Sequence, residues 1–166
     1  PAAPGAGRAG GGRGGQTITR YPSGAGVEGF DISPDRKEFR AVNVRDKSIT
    51  VVDLTQKRVV DTIALPTTYS NRLRFTLDGK YVLVSELQGN QMLVLDAKTR
   101  KEVKRLDVGA GGEGIFMEPS GTRAFYAISR GGKVAVIDTK TLEVIKEITG
   151  LQNPDGMDWY DSRPKP

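Results

Sequence analysis

Apolar residues along this chain fall into short, nearly continuous runs. Three of them end on aspartate: SITVVD at Asp53, QMLVLD at Asp96 and KVAVID at Asp138. Runs of this length, rich in β-branched and aliphatic residues and bounded by turn formers, predict short strands that are buried on both faces. No stretch keeps a helical spacing of apolar residues for more than about one turn. The chain is therefore predicted to be all-β.

The predicted strands recur at a fixed interval. The closing aspartates are 43 and 42 residues apart, and the turn before each second strand repeats in step, as SPDRK, TLDGK and EPSGT. The entry to each first strand occurs four times, as VEGF, SNRL, GEGI and PDGM. A period near 42 residues with four strands per repeat is typical of a β-propeller, in which four-stranded antiparallel blades stack radially and bury each other's faces.

The repeat divides the chain into three parts: a Gly/Ala/Pro/Arg-rich tail over residues 1–16, a partial propeller over 17–160, and a C-terminal tail over 161–166. Three complete blades are expected, together with the strands Phe30–Ile32, Leu73–Phe75 and Ile115–Met117 on the inside, a flanking outer strand Thr17–Tyr21 and a flanking inner strand Met157–Tyr160. Closed propellers have at least four blades. Another protein chain or further blades are therefore expected to cover the two end faces.

The repeat resembles the YVTN-repeat β-propeller family of bacterial, largely extracytoplasmic proteins. The resemblance spans Thr17 to Trp159 and lies in FDISPDRKEFRAVNVRDKSITVVDL, FTLDGKYVLVSELQGNQMLVLDAKT and FMEPSGTRAFYAISRGGKVAVIDTKT, with RAVN, VLVS and FYAI in place of the family's tetrapeptide. It implies about seven blades in the whole protein and a periplasmic or otherwise extracytoplasmic location. It leaves function open, because such proteins include scaffolds, surface proteins, lactonase-like enzymes and companions of quinoprotein or cytochrome systems.

Composition restricts the chemistry. The chain contains neither Cys nor His, so it offers no thiolate or imidazole for nucleophilic catalysis or for transition-metal binding. The net charge is +5, with 25 basic residues interleaved among 20 acidic ones, which favours a mixed solvated surface over nucleic-acid binding. No run approaches the roughly twenty apolar residues of a transmembrane helix. Peripheral association with a membrane complex stays open.

The N-terminal tail, PAAPGAGRAGGGRGGQ, has three interpretations. It is a flexible linker or processed terminus, an RGG-like nucleic-acid segment, or a docking arm ordered by a partner. The first is preferred. The nucleic-acid segment is the least favoured, because the tail holds only Arg8 and Arg13 and no interleaved aromatic residue. Since the chain starts at Pro1, either a leader has been removed or the chain begins inside a longer precursor.

Two sets of oxygen-bearing residues are candidate sites. The three closing aspartates are interpreted as turn residues that accept backbone N–H groups. Glu28, Asn71, Glu113 and Asp155 share one register just before the inner strands, at one mouth of the central channel. They could form a ring of hard oxygen ligands for Ca²⁺, loosely similar to the ring of calcium-dependent propeller lactonases. The alternative is that they hydrogen-bond to the backbone between blades and face a solvated channel.

The sequence thus favours a non-catalytic binding or scaffold propeller that mediates protein–protein interaction in an extracytoplasmic or membrane-associated assembly. The alternative is part of a lactonase-like or quinoprotein-type enzyme, or an accessory subunit of an electron-transfer complex. No cofactor is expected other than Ca²⁺ at the predicted ring.

Overall fold

The computed structural model describes residues 18–160, which fold into twelve β-strands without any helix. The strands form three separate four-stranded sheets, and each sheet is built from four strands that follow one another along the chain. All pairings are antiparallel. The predicted all-β architecture of three four-stranded blades is confirmed. Between residues 18 and 160, no helix is available that could cross a membrane.

Each blade runs from the channel outward in chain order. Blade 1 contains β1 (Val27–Ile32), β2 (Glu38–Asn43), β3 (Ser48–Asp53) and β4 (Arg58–Ala64). Blade 2 contains β5 (Leu73–Phe75), β6 (Tyr81–Val84), β7 (Gln91–Asp96) and β8 (Glu102–Asp107). Blade 3 contains β9 (Gly112–Met117), β10 (Arg123–Ile128), β11 (Lys133–Asp138) and β12 (Glu143–Thr149). Among the first strands, β5 contacts both β1 and β9, and the three strands form the inner wall.

Blade 2 is buried on both faces. Along β7, Leu93 and Leu95 join a core cluster shared with blade 1, whereas Met92 and Val94 join a second cluster shared with blade 3. Successive side chains of a strand point to opposite faces of the sheet, so a strand between two neighbouring blades needs apolar residues at every position. The uninterrupted apolar runs in the sequence reflect this arrangement.

The face of blade 1 that points away from blade 2 remains partly exposed. Phe30 and Ile32 are 59% and 47% exposed, whereas Leu73 and Phe75, at the same register of blade 2, are only 2% and 4% exposed. The exposed area lies on the inner part of this face, because Val52, farther out on the same face, is buried. At the opposite end of the stack, Ile148 of blade 3 is exposed in the same way while Val134 beside it is buried.

The two predicted flanking strands are not formed. Residues 18–21 and 157–160 have no strand pairing in the structure, and Thr17 lies outside the described residues. A strand is defined by hydrogen bonds to a neighbouring strand, and the strands that would complete these two partial blades are absent from the three sheets. The tails predicted over residues 1–16 and 161–166 also lie outside the described range.

Candidate functional site

The residues predicted as a cation ring lie at the end of the inner wall where the inner strands begin. Glu28 is the second residue of β1, Asn71 precedes β5 by two residues, and Glu113 is the second residue of β9. Together with three neighbours that bind them, they form what we call the rim cluster: Glu28, Tyr69, Asn71, Arg72, Ser85 and Glu113.

Asn71 is the centre of the rim cluster. Its side chain is buried, with 2% exposure, and links blade 2 to blade 3. The Asn71 Nδ2 group donates a hydrogen bond of 2.8 Å to Glu113 Oε2, and Asn71 Oδ1 accepts one of 2.6 Å from the Ser85 hydroxyl. The Ser85 hydroxyl oxygen also accepts the backbone N–H of Arg72 at 2.9 Å. Both polar atoms of this buried amide are therefore satisfied by protein groups, as buried amides generally are.

Glu28 links blade 1 to blade 2. Its Oε1 accepts a hydrogen bond of 2.9 Å from the Tyr69 hydroxyl, and its Oε2 lies 3.4 Å from Arg72 Nη1. The hydrogen bond to the Glu28 carboxylate, reinforced by the negative charge of that carboxylate, raises the pKa of the Tyr69 phenol. Tyr69 therefore stays protonated at neutral pH and acts here as a hydrogen-bond donor.

The fourth predicted ligand, Asp155, does not join the other three through a side-chain contact. The segment that carries it runs beside β9, where its backbone carbonyl approaches Gly114 so closely that a side chain at residue 114 has no room. Within residues 18–160, no group of three or more acidic side chains converges in a way that would hold a metal ion. Glu28, Asn71 and Glu113 do bond between blades, but to side chains and not to the backbone that the alternative interpretation named. The Ca²⁺ ring itself stays a prediction.

A second polar link crosses the inner wall below the rim. The Asp31 carboxylate accepts the backbone N–H of Phe75 at 3.0 Å and lies 3.3 Å from Arg74 Nη1. Arg74 Nε in turn donates to the carbonyl of Ile115 at 3.2 Å. Blades 1, 2 and 3 are thus connected in sequence by one carboxylate and one guanidinium. Sequence analysis missed this link, although Asp31 and Arg74 occupy the same register one repeat apart.

A third polar group, which we call the ion cluster, joins blades 1 and 2 farther out from the inner wall: Glu38, Arg40, Asp61 and Arg100. Arg100 bridges the blades, with Nη2 2.7 Å from Glu38 Oε1 and Nη1 2.7 Å from Asp61 Oδ2. The hydrogen bond from Arg100 holds the pKa of Asp61 below its usual value.

Arg40 is the buried member of the ion cluster, with 1% of its surface exposed. Its Nε and Nη2 donate to Glu38 Oε2 at 3.0 and 2.6 Å, and Nη2 also donates to the carbonyl of Ala97 in blade 2. Its guanidinium carbon lies 4.9 Å from the centre of the Phe75 ring, a favourable cation–π distance. Nη1 is buried without a hydrogen-bond partner. Burial lowers the pKa of Arg40 because it disfavours the charged form.

The closing aspartates are turn residues, as interpreted from the sequence. Asp53 Oδ1 accepts the backbone N–H groups of residues 55 and 56, Asp96 Oδ1 that of residue 99, and Asp138 Oδ1 those of residues 140 and 141. Each carboxylate thereby satisfies the backbone of the turn after the third strand. These contacts hold the pKa of Asp96 and of Asp138 below the usual value.

One buried tyrosine fixes blade 3 against blade 2. The Tyr126 hydroxyl accepts the backbone N–H of Glu86 at 3.1 Å, and the side chain is fully buried. Desolvation raises the pKa of this phenol strongly, so it remains neutral. The ring passes directly over Gly112, where a Cβ atom would overlap the tyrosine hydroxyl. Glycine is required at this position by the close approach of the ring.

Comparison with solved structures identifies the architecture. The chain is similar to the Kuenenia stuttgartiensis hydrazine synthase, with a TM-score of 0.72 and 25% sequence identity over 84% of this chain and 40% of that chain. It is also similar to U3-55K (TM-score 0.69, 15% identity, 82% and 43% coverage) and to the WD40 repeats of RRP9 (TM-score 0.69, 14% identity, 82% and 42% coverage). The fold is that of a β-propeller.

The chain spans less than half the length of each of these propeller structures. No protein-family model matches the sequence, and no curated protein matches it either. The similarity to U3-55K and RRP9 therefore concerns the fold alone, and the YVTN resemblance rests on the repeat in the sequence.

Proposed function

We propose that this chain is a non-catalytic scaffold segment of a β-propeller that works by binding protein. The observation that carries the proposal is the exposure of Phe30 and Ile32 at a register that is buried in blade 2. Large apolar side chains that stay exposed at a position where the next blade is buried are typical of a surface that another protein covers. Further blades or another protein chain cover it in the assembled protein.

The chemistry of the rim supports binding rather than catalysis. Its two carboxylates, Glu28 and Glu113, are engaged by a phenol, a guanidinium and a carboxamide, and the chain has no His or Cys to act beside them. Such a rim can recognise a polar partner by hydrogen bonds and charge. The repeat pattern supports a place among extracytoplasmic YVTN-repeat propellers, in a periplasmic or membrane-associated assembly.

A double substitution on the exposed face tests the proposal. F30D/I32D places charge where a partner would bury apolar surface, and V103D is the matched control, because Val103 is 50% exposed on the outer strand of blade 2, which has no open face. Chemical cross-linking of the tagged protein, quantified by mass spectrometry, is expected to lose its partner with F30D/I32D and to keep it with V103D. Equal cross-linking of the same partner by both variants would overturn the proposal.

A second candidate is supported by the similarity to hydrazine synthase at 25% identity. In that case the chain is an accessory propeller segment of an enzyme complex, including one of lactonase-like, quinoprotein or electron-transfer type. The catalytic groups would then lie outside this chain. The test is to combine the chain with a set of blades that contains His and to measure activity. Activity that appears only in the combination would favour this candidate over a pure scaffold, provided that it survives substitution of the rim cluster.

A further inference from the structure

One position in each blade faces the preceding blade from the turn between the third and fourth strands. Lys57, Arg100 and Leu142 occupy it, with the same left-handed backbone at φ of 54°, 63° and 56°. Arg100 reaches blade 1 and binds Glu38 and Asp61. Leu142 is buried in the core cluster between blades 2 and 3. Lys57 belongs to the first blade and is exposed.

The pairing of the strands shows which residues of the preceding blade face this turn position. Glu38 and Asp61 of blade 1 correspond to Tyr81 and Lys104 of blade 2 and to Arg123 and Lys146 of blade 3, because each set pairs with equivalent residues of the third strand. The facing residues are chemically complementary to the residue at the turn position. Two carboxylates bind Arg100. Tyr81 packs on the cluster that contains Leu142, and Lys104 donates to the carbonyl of Thr141 instead.

We infer that the blade packed on blade 1 carries carboxylates at the registers of Glu38 and Asp61, where they bind Lys57. This rests on the proposed function, since it names the partner that covers Phe30 and Ile32. The partner is a propeller blade with apolar second and third strands and with acidic residues at the registers of Glu38 and Asp61. The observed Arg100 contacts provide the internal precedent, with both N–O distances at 2.7 Å.

The same comparison argues against a second copy of this chain as the occupant. In a head-to-tail pair, blade 3 of one copy would cover blade 1 of the next, as heterologous contacts do. Arg123 and Lys146 would then face Lys57, and Arg123 is already bound to Glu118. Like charges placed together across an interface oppose association and select against the wrong partner. The charges at the two ends therefore disfavour self-association.

Reversing these charges one at a time tests the inference in the intact 166-residue chain. K146D puts a carboxylate at the register of Asp61, and K57E reverses the charge on the other face. Either substitution alone should strengthen head-to-tail association, and sedimentation equilibrium should show a dimer Kd about tenfold lower than that of wild type. The double variant K57E/K146D places two acids together and should lose the gain. The difference should shrink as salt is raised, because screening weakens exposed charge pairs.

The outcomes separate this inference from the proposed function. The inference is supported if both single variants associate more tightly than wild type. It also requires that this gain is lost in K57E/K146D and when F30D/I32D is added to K146D. Wild-type association as tight as that of K146D would overturn it and identify a second copy as the occupant. Two outcomes would overturn the acidic partner and leave the proposed function intact. One is association that F30D/I32D abolishes but the charge substitutions do not change. The other is no association in either single variant. Association of K146D unaffected by F30D/I32D would overturn the proposed function.

Discussion

Replacing Glu38 with glutamine should destabilise the protein more than removing the buried arginine that Glu38 binds. The Glu38 carboxylate accepts hydrogen bonds from both arginines of the ion cluster. In E38Q, Arg100 keeps Asp61 as a partner, whereas Arg40 keeps the carbonyl of Ala97, the ring of Phe75 and at most one neutral amide oxygen at position 38. The buried guanidinium then has no carboxylate bonded to it.

The magnitude follows from the burial of the pair. Removing one partner of a buried ion pair costs about 3–5 kcal/mol. Glu38 is a quarter exposed while Arg40 is 1% exposed, so water can partly replace the carboxylate and the expected loss lies near the lower end, about 3 kcal/mol. In R40L the charge is removed together with the unpartnered Nη1, and leucine is the residue found at the same register in blade 2, at Leu83. The expected change is within about 1 kcal/mol, as for other replacements of buried ion pairs by apolar residues.

Urea unfolding followed by circular dichroism measures these changes. With a slope of about 1–3 kcal/mol per molar urea, the loss in E38Q should lower the midpoint by about 1 M or more, and E38Q/R40L should recover most of it. E102Q is the control, since Glu102 forms an exposed pair with Arg105 and such pairs contribute at most about 1 kcal/mol. If E38Q costs no more than E102Q, or if R40L costs as much as E38Q, the reasoning is wrong.

Two further predictions concern blade 3. G112A should destabilise the protein by several kcal/mol, because its methyl group overlaps Tyr126, while G156A should be neutral since nothing lies within 4 Å of the added atom; thermal unfolding of both variants checks this. The bond from Arg123, with help from nearby hydroxyl groups, lowers the pKa of Glu118 to about 2. The Arg123–Glu118 pair therefore contributes its full stabilisation at pH values above the ordinary glutamate pKa of 4.5, and this stabilisation is lost as the pH falls toward 2. A carboxyl NMR titration should show this low pKa, and R123Q should raise it; an unshifted Glu118 would contradict the assigned pairing.

The repeat in the sequence predicted the blades because the third strand needs apolar residues on both faces. QMLVLD was predicted as a strand over Gln91–Asp96, and β7 has those bounds. The first strand is less distinct in sequence, because it lines the channel on one side and contains polar residues and glycine. Phe30–Ile32 was predicted there, and β1 begins three residues earlier, at Val27, across an irregularity in its pairing with β2.

The polar links between blades could not be predicted in the same way. Arg40 interrupts a strand as an ordinary surface residue would, and only its partners explain its burial. Those partners are remote in sequence: 62 residues separate Glu38 from Arg100, and 57 separate Arg40 from Ala97. The rim residues were predicted from register, and in the structure Asn71 hydrogen-bonds to Glu113. Register could not indicate that the Ser85 hydroxyl would donate a hydrogen bond to Asn71 Oδ1, since that bond depends on the side-chain conformation.

The double burial of blade 2 has a consequence for how the molecule opens. In a stack where each unit contacts only its neighbours, stability is a sum of unit and interface terms, and the end units separate first. Blades 1 and 3 each have one neighbour here, while β7 lies between two core clusters. Amide protons of β7 should therefore exchange with solvent only when the whole molecule unfolds, whereas those of β4 and β12 exchange through opening of a single end blade. The addition of a partner blade at Phe30 would slow exchange in β1 to β4 first and thereby reveal the direction from which the stack is completed.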